Sequence, residues 1–134
     1  MSLSPDDPFA HERPIVLIAS ADGPTRIAVA RAVARLGMTA LIALDGETAM
    51  SAARDHDQTI IGAVLDAYLP TLSGWEVARA LHSAVADLPL IVLEREGDRS
   101  HGRGHDHAYT VIFPADDLSG LADYLGCLAE SLVA

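Results

Sequence analysis

Ile60-Ile-Gly-Ala-Val-Leu65, followed at once by Asp66-Ala-Tyr-Leu-Pro-Thr-Leu-Ser-Gly74, is the stretch on which the fold of this chain turns. Its first six residues are the most continuous apolar run in the sequence, as expected of a central parallel strand covered on both faces. The run ends abruptly at Asp66, so a charge stands at the carboxyl end of that strand.

Working outward, strands and helices alternate. Pro14-Ile-Val-Leu-Ile-Ala19 reads as a buried strand closed by the turn cluster Ser20-Ala-Asp-Gly-Pro24. Pro24 suits the first turn of a helix, Ile27, Ala30, Val33 and Ala34 follow at helical spacing, and Gly37 stands where a C-terminal cap belongs. Thr39 to Ala43 is a second strand, Asp45-Gly46 a turn, and Glu47 to Arg54 a second helix. Ser73 or Gly74 opens a third helix carrying Trp75, Val77, Ala78, Leu81 and Val85 and closed by Leu88-Pro89. Leu90 to Leu93 and Tyr109 to Phe113 supply strands four and five. Asp116 is placed to cap a last helix with Leu118, Leu121, Leu125, Leu128 and Leu132 on one stripe. Between Glu94 and His107, Gly97, Gly102 and Gly104 stand among polar residues without an apolar period, so the fourth helix of the alternation is short or missing.

This order predicts an α/β, doubly wound, flavodoxin-like domain with a five-stranded parallel sheet of order 2-1-3-4-5. Ligands of such sheets bind beyond the carboxyl ends of the strands, beside the switch point between strands one and three. The residues there are Ser20, Ala21 and Asp22 after strand one, Asp66 after strand three, Glu94 after strand four and Phe113-Pro114 at the end of strand five.

The 134 residues fit one domain over residues 14–134 after a polar N-terminal tail of residues 1–13. Half of them are hydrophobic but only 4% are aromatic, so the core is aliphatic. A formal net charge of −10 opposes a phosphate backbone, which argues against nucleic-acid binding. Met1 to His11 lack the basic and apolar regions of a signal peptide, and no apolar run is long enough to span a bilayer. With Cys127 as the only cysteine, no internal disulfide can form, and a reducing cytoplasm is the expected compartment.

The segment Asp66 to Gly74 resembles the part of response-regulator receiver domains that runs from the phosphoacceptor aspartate through Leu-Pro to a glycine opening helix three. Leu88-Pro89 and Phe113-Pro114 also fall where that family has prolines, and the resemblance extends over residues 14–133. It implies a signal-transduction module that is not an enzyme, with Asp66 as phosphoacceptor and a sensor kinase, an output protein or a second copy as partner. In the family, Mg²⁺, a Lys and a hydroxyl neutralise the transferred phosphoryl group. Aligned on Gly37, Ser20 and Ala21 replace the acidic pair, Asp22 falls one position late, Glu94 replaces the hydroxyl residue and Phe113 the Lys. Any Mg²⁺ would have to be held by Asp22, Asp66 and the backbone carbonyl of Tyr68. The resemblance therefore implies an atypical receiver with weak or no Mg²⁺-dependent phosphorylation and no other cofactor. Its switch aromatic is also displaced, since Thr110 rather than Tyr109 falls at that position.

Two other functions stay open from sequence. A flavodoxin-like protein would bind flavin or another small ligand with Ser20 to Thr25 as a phosphate loop, but Asp22 opposes a phosphate there. An enzyme using Asp66 with Glu94 would need two close carboxylates with separated pKa values. His101, His105 and His107 fit no standard zinc spacing and read as a solvated loop, and Trp75 reads as a packing residue.

Overall fold

Branched aliphatic residues build all the strands: β1 (Ile15–Ala19), β2 (Thr39–Ala43), β3 (Ile60–Asp66), β4 (Leu90–Glu94) and β5 (Thr110–Pro114). The computed structural model describes residues 13–57, 59–85, 87–95 and 110–133. The strands pair in parallel in the order β2-β1-β3-β4-β5, the doubly wound order expected from the sequence. Helices α1 (Gly23–Arg35), α2 (Gly46–Asp55), α3 (Gly74–Ala84) and α4 (Ser119–Val133) complete the described elements.

The pleat sends alternate side chains to opposite faces of the sheet. Leu17, Ala19, Ala63, Leu65, Leu90 and Val92 face α2 and α3, where they meet Ala49, Met50, Ala53, Trp75, Val77, Ala78 and Leu81. Val16, Ile18, Val64, Ile91 and Leu93 face α1 and α4, where they meet Val29, Val33, Leu121 and Leu125. Each fully buried Val, Leu or Ile among them contributes about 2 kcal/mol of transfer free energy. The stripe on α4 is therefore spent largely on the sheet: Leu121 and Leu125 are buried, and Leu118 and Leu128 pack against the same cluster. Trp75 is likewise a core residue.

Local chemistry sets the helix ends. Helix α1 closes in a Schellman motif: Gly37 has φ +78, its N–H bonds the Ala34 carbonyl, and the Met38 N–H bonds that of Val33. Helix α3 opens in a capping box, with the Ser73 hydroxyl accepting from the Glu76 N–H and the Glu76 carboxylate accepting from the Ser73 N–H. Its first residue, Gly74, is pressed onto the end of β3, and its N–H donates to the Ala67 carbonyl at 3.0 Å. The connecting loop is also tied to α2, since the Gly46 N–H donates to the Pro70 carbonyl and the Glu47 N–H to Thr71 Oγ1.

Two helix ends differ from the sequence expectation by more than one residue. Helix α3 stops at Ala84 because Val85 turns extended (φ −125, ψ 106) and lays its side chain against the core. Helix α4 opens at Ser119, and the carboxylate serving its first turn belongs to Asp117, not Asp116. The Ala115 N–H still bonds the Glu94 carbonyl and the Asp117 N–H the Pro114 carbonyl, so residues 115–116 are taken up in a turn. The tail through residue 12, Tyr109, His101, His105, His107 and nearly all of the loop expected in place of a helix before β5 lie outside the described residues.

The contact at Gly74 has a measurable consequence. A Cβ on Gly74 would fall 2.2 Å from the Asp66 carbonyl oxygen, whereas one on Gly23 would meet only Arg26 Nη2 at 3.8 Å. Gly74→Ala should lower stability by at least about 2 kcal/mol through overpacking, and Gly23→Ala should stay within about 0.5 kcal/mol of the parent. Urea denaturation read by Trp75 fluorescence checks both, and equal midpoints for the two variants would contradict this packing.

Candidate functional site

A carboxylate at the end of a central strand must be compensated when it is buried, and Asp66 is only 1% exposed. Among the described residues, three donors meet it. Arg95 Nη2 donates to Oδ2 at 2.7 Å, the Ser20 hydroxyl donates to the same oxygen at 3.1 Å, and the Tyr68 backbone N–H donates to Oδ1 at 3.3 Å. The Ser20 hydroxyl is fixed from behind by the Asp22 N–H, which donates to it at 3.1 Å.

The guanidinium does more than pair with Asp66. Its Nη2 also donates to Thr25 Oγ1 at 3.0 Å and lies 3.7 Å from Asp22 Oδ2. Thr25 passes its own proton on to Asp22 Oδ2, at 2.6 Å, which leaves its lone pairs to accept from Arg95. Asp22 is the N-cap of α1 and accepts from the Thr25 N–H at 3.0 Å. The Thr25 hydroxyl and N–H hold the Asp22 carboxyl below its ordinary pKa of 3.8. Arg95 and Arg26 add smaller lowering contributions, against the opposing effect of partial burial.

The pleat explains why Arg95, and not Glu94, reaches the aspartate. Asp66 is in register with Leu93, and Leu93 faces α1 and α4. Two residues on, Arg95 returns to that face. Glu94 falls in the intervening position, shared with Leu90 and Val92, and its carbonyl continues the sheet by accepting from the Ala115 N–H at 2.8 Å.

The residues singled out by sequence are thus only partly brought together. Ser20, Asp22, Asp66 and the backbone of Tyr68 converge, whereas Ala21 is exposed on the turn and the Tyr68 side chain looks outward, the residue being 57% exposed. Phe113, aligned with a pocket residue, packs instead on α4: its ring lies 5.8 Å from that of Tyr124 and against Gly120. Asp66 is in register with Leu93, so Glu94 stands one residue on, out of phase with Asp66 in the pleat. Arg95 and Thr25 are the members that sequence patterns do not single out. The Lys that the alignment replaces by Phe113 is thus not the only source of positive charge, since Arg95 supplies one at Asp66, and the available signal was the two-residue period running from Ile91 through Leu93.

The donor set does not suit Mg²⁺. Octahedral Mg²⁺ needs hard oxygens at about 2.0–2.1 Å with lone pairs to spare. Here Asp66 Oδ2 is already taken by a guanidinium and a hydroxyl, and Asp22 Oδ2 by Thr25 and Arg95. Among the described residues, no group of three or more His, Cys, Asp and Glu side chains is placed to hold a metal ion. Nor is the start of α1 open to a phosphate, because the Asp22 carboxylate occupies it.

Solved structures of receiver domains share this architecture across nearly the whole chain. The signal receiver domain of an HD domain-containing protein from Pseudomonas fluorescens Pf-5 matches with a TM-score of 0.74 and 17% identity, over 90% of this chain and 89% of that one. A response regulator receiver protein from Pseudomonas putida matches with a TM-score of 0.72 and 23% identity, over 86% and 97% respectively. The Vibrio cholerae chemotaxis protein CheY4 matches with a TM-score of 0.69 and 19% identity, over 87% and 98%. At these identities the likeness establishes the fold, which is that of a receiver domain. No protein-family model matches the sequence, and no curated protein matches it.

The lowered pKa of Asp22 has a defined sign in stability. A carboxyl with a depressed folded-state pKa contributes fully above its unfolded value, and the contribution is lost as pH falls through the folded value. For Asp22 that loss lies below about pH 3.8. Asp22→Ala should therefore be less stable than the parent near neutrality, and the gap should narrow in acid. Urea midpoints measured across this range check it, and a gap constant with pH would show that the charge of Asp22 contributes nothing.

Proposed function

We propose that this receiver-fold domain is a signal-transduction module of response-regulator type that acts through protein contacts rather than through Mg²⁺-dependent phosphorylation of Asp66. The observation that carries this reading is the 2.7 Å contact between Arg95 Nη2 and Asp66 Oδ2. Phosphoryl transfer to a carboxylate requires an oxygen free to attack and a cation coordinated to the incoming oxygens. Oδ2 is held by Arg95 and Ser20, Oδ1 accepts from Tyr68, and the residue is 1% exposed. Attack would have to break a charge-assisted bond to a carboxylate that is itself almost wholly buried.

The module is then not an enzyme, and its partners are proteins: a sensor kinase, an output protein or a second copy of the chain. The net charge of −10 argues against nucleic acid as a partner. A cytoplasmic location belongs to the same reading, in keeping with the absence, among the described residues, of a helix long and apolar enough to cross a membrane.

Incubation with an acyl-phosphate donor and Mg²⁺, followed by intact-mass measurement, tests the reading. The wild-type domain should gain no phosphoryl group under conditions that fully load a conventional receiver. A stoichiometric adduct that disappears in Asp66→Asn would overturn it.

A further inference from the structure

We propose that Arg95 is a tethered replacement for a divalent cation: its guanidinium takes the position between Asp22 and Asp66, so the charge balance of the crevice is supplied by the chain itself and is indifferent to Mg²⁺. The inference rests on the crevice having receiver geometry and deepens the reading above by naming what occupies it. One nitrogen, Nη2, donates to Asp66 Oδ2 at 2.7 Å and to Thr25 Oγ1 at 3.0 Å, and lies 3.7 Å from Asp22 Oδ2. These are two carboxylates from different strand ends and a hydroxyl, all oxygens, gathered around a single positive centre. A guanidinium stays charged at every pH the fold survives. It also arrives with β4, so it need not be captured from solution.

The substitution is not electrically equivalent. Two carboxylates and one guanidinium leave these three groups one charge negative, where a divalent ion would leave them neutral. Arg26, whose Nη1 donates to the Ser20 carbonyl at 3.1 Å, offsets part of that charge. The remaining negative charge is met by dipoles: the Ser20 and Thr25 hydroxyls and the N–H groups of Thr25 and Tyr68 all donate to these two carboxylates. Hydroxyl and amide donors thus complete what the weaker cation leaves undone. Because the guanidinium and a metal ion compete for the same Asp66 oxygen, removing the guanidinium should open the position to a metal ion.

The test is a Mn²⁺ titration followed by electron paramagnetic resonance, with thermal unfolding in MgCl₂ against NaCl of equal ionic strength. The wild-type domain should show no saturable Mn²⁺ site and the same Tm in both salts. Arg95→Ala should lose stability in NaCl, bind Mn²⁺ at least about tenfold more tightly than the parent, and regain several degrees of Tm in MgCl₂, as a ligand specific to the folded state would provide. Adding Asp66→Asn to that variant should abolish the response to both metals.

Should Arg95→Ala not fold without metal, Arg95→Gln removes the charge but keeps a donor, and it should show the same gain in Mn²⁺ affinity. Mn²⁺ binding by the wild type as tight as by the variants would overturn the proposal, as would variants that gain no metal affinity. These outcomes differ from failure of the receiver reading. A phosphoryl adduct on the wild type would defeat that reading without altering the titrations. Variants that gain no metal would leave an adduct-free wild type as it stands.

Discussion

A carboxylate with almost no access to water sits where the central strand ends, and the rest of the crevice is arranged around its need for compensation. Transferring an ionised Asp66 out of water is costly unless donors and a counter-charge replace the lost hydration. Arg95 supplies the charge, while Ser20 and the Tyr68 N–H supply the dipoles. A pair of this kind adds little net stability over an apolar core, but removing one partner alone costs about 3–5 kcal/mol when both are buried. Arg95 is about one-third exposed, so solvent screens part of the interaction and the cost here falls below that range. The consequence is specificity of arrangement more than strength.

That arrangement follows from the sheet. Parallel pairing puts Asp66 beside Leu93, and the first residue beyond Ala19 is Ser20, next to Asp66 on the other side. Three strand ends therefore deliver a hydroxyl, a carboxylate and, two residues past Leu93, a guanidinium onto one face. Helix α1 closes the group, because its N-cap Asp22 and its buried Thr25 turn toward the same nitrogen. Behind Asp66 the loop to α3 has little freedom, held by Gly74 against the strand end and by Pro70 and Thr71 against the start of α2.

Within the receiver fold, a carboxylate at this place invites comparison with a metal-assisted phosphoryl acceptor, and the physical difference is the state of its oxygens. On the proposed reading, an oxygen that already accepts from a guanidinium and a hydroxyl is a weaker nucleophile than a carboxylate oxygen without such donors. A crevice whose carboxylates are paired with the chain's own arginine does not, on that reading, depend on a diffusible ion for its counter-charge. Signalling, on the same proposed reading, depends on protein contacts, and the net charge of −10 favours partners with basic complements over nucleic acid.

The alternation of strand and helix was legible because aliphatic runs and turn residues recur along the chain, and the position of Asp66 at a strand end follows from the same pattern. The strand order was legible too, since right-handed crossovers leave few alternatives for five parallel strands. Alignment by residue spacing was less reliable for the pocket. It directed attention to Glu94 and Phe113, yet the pleat places Glu94 in the position shared with Leu90 and Val92, and Phe113 packs with Tyr124 on α4. Arg95 could be recognised only once β3 and β4 were in register, because its partner lies 29 positions earlier in the chain. Spacing along one strand tells which face a side chain occupies, but which distant charge it meets there is decided by how the strands lie side by side.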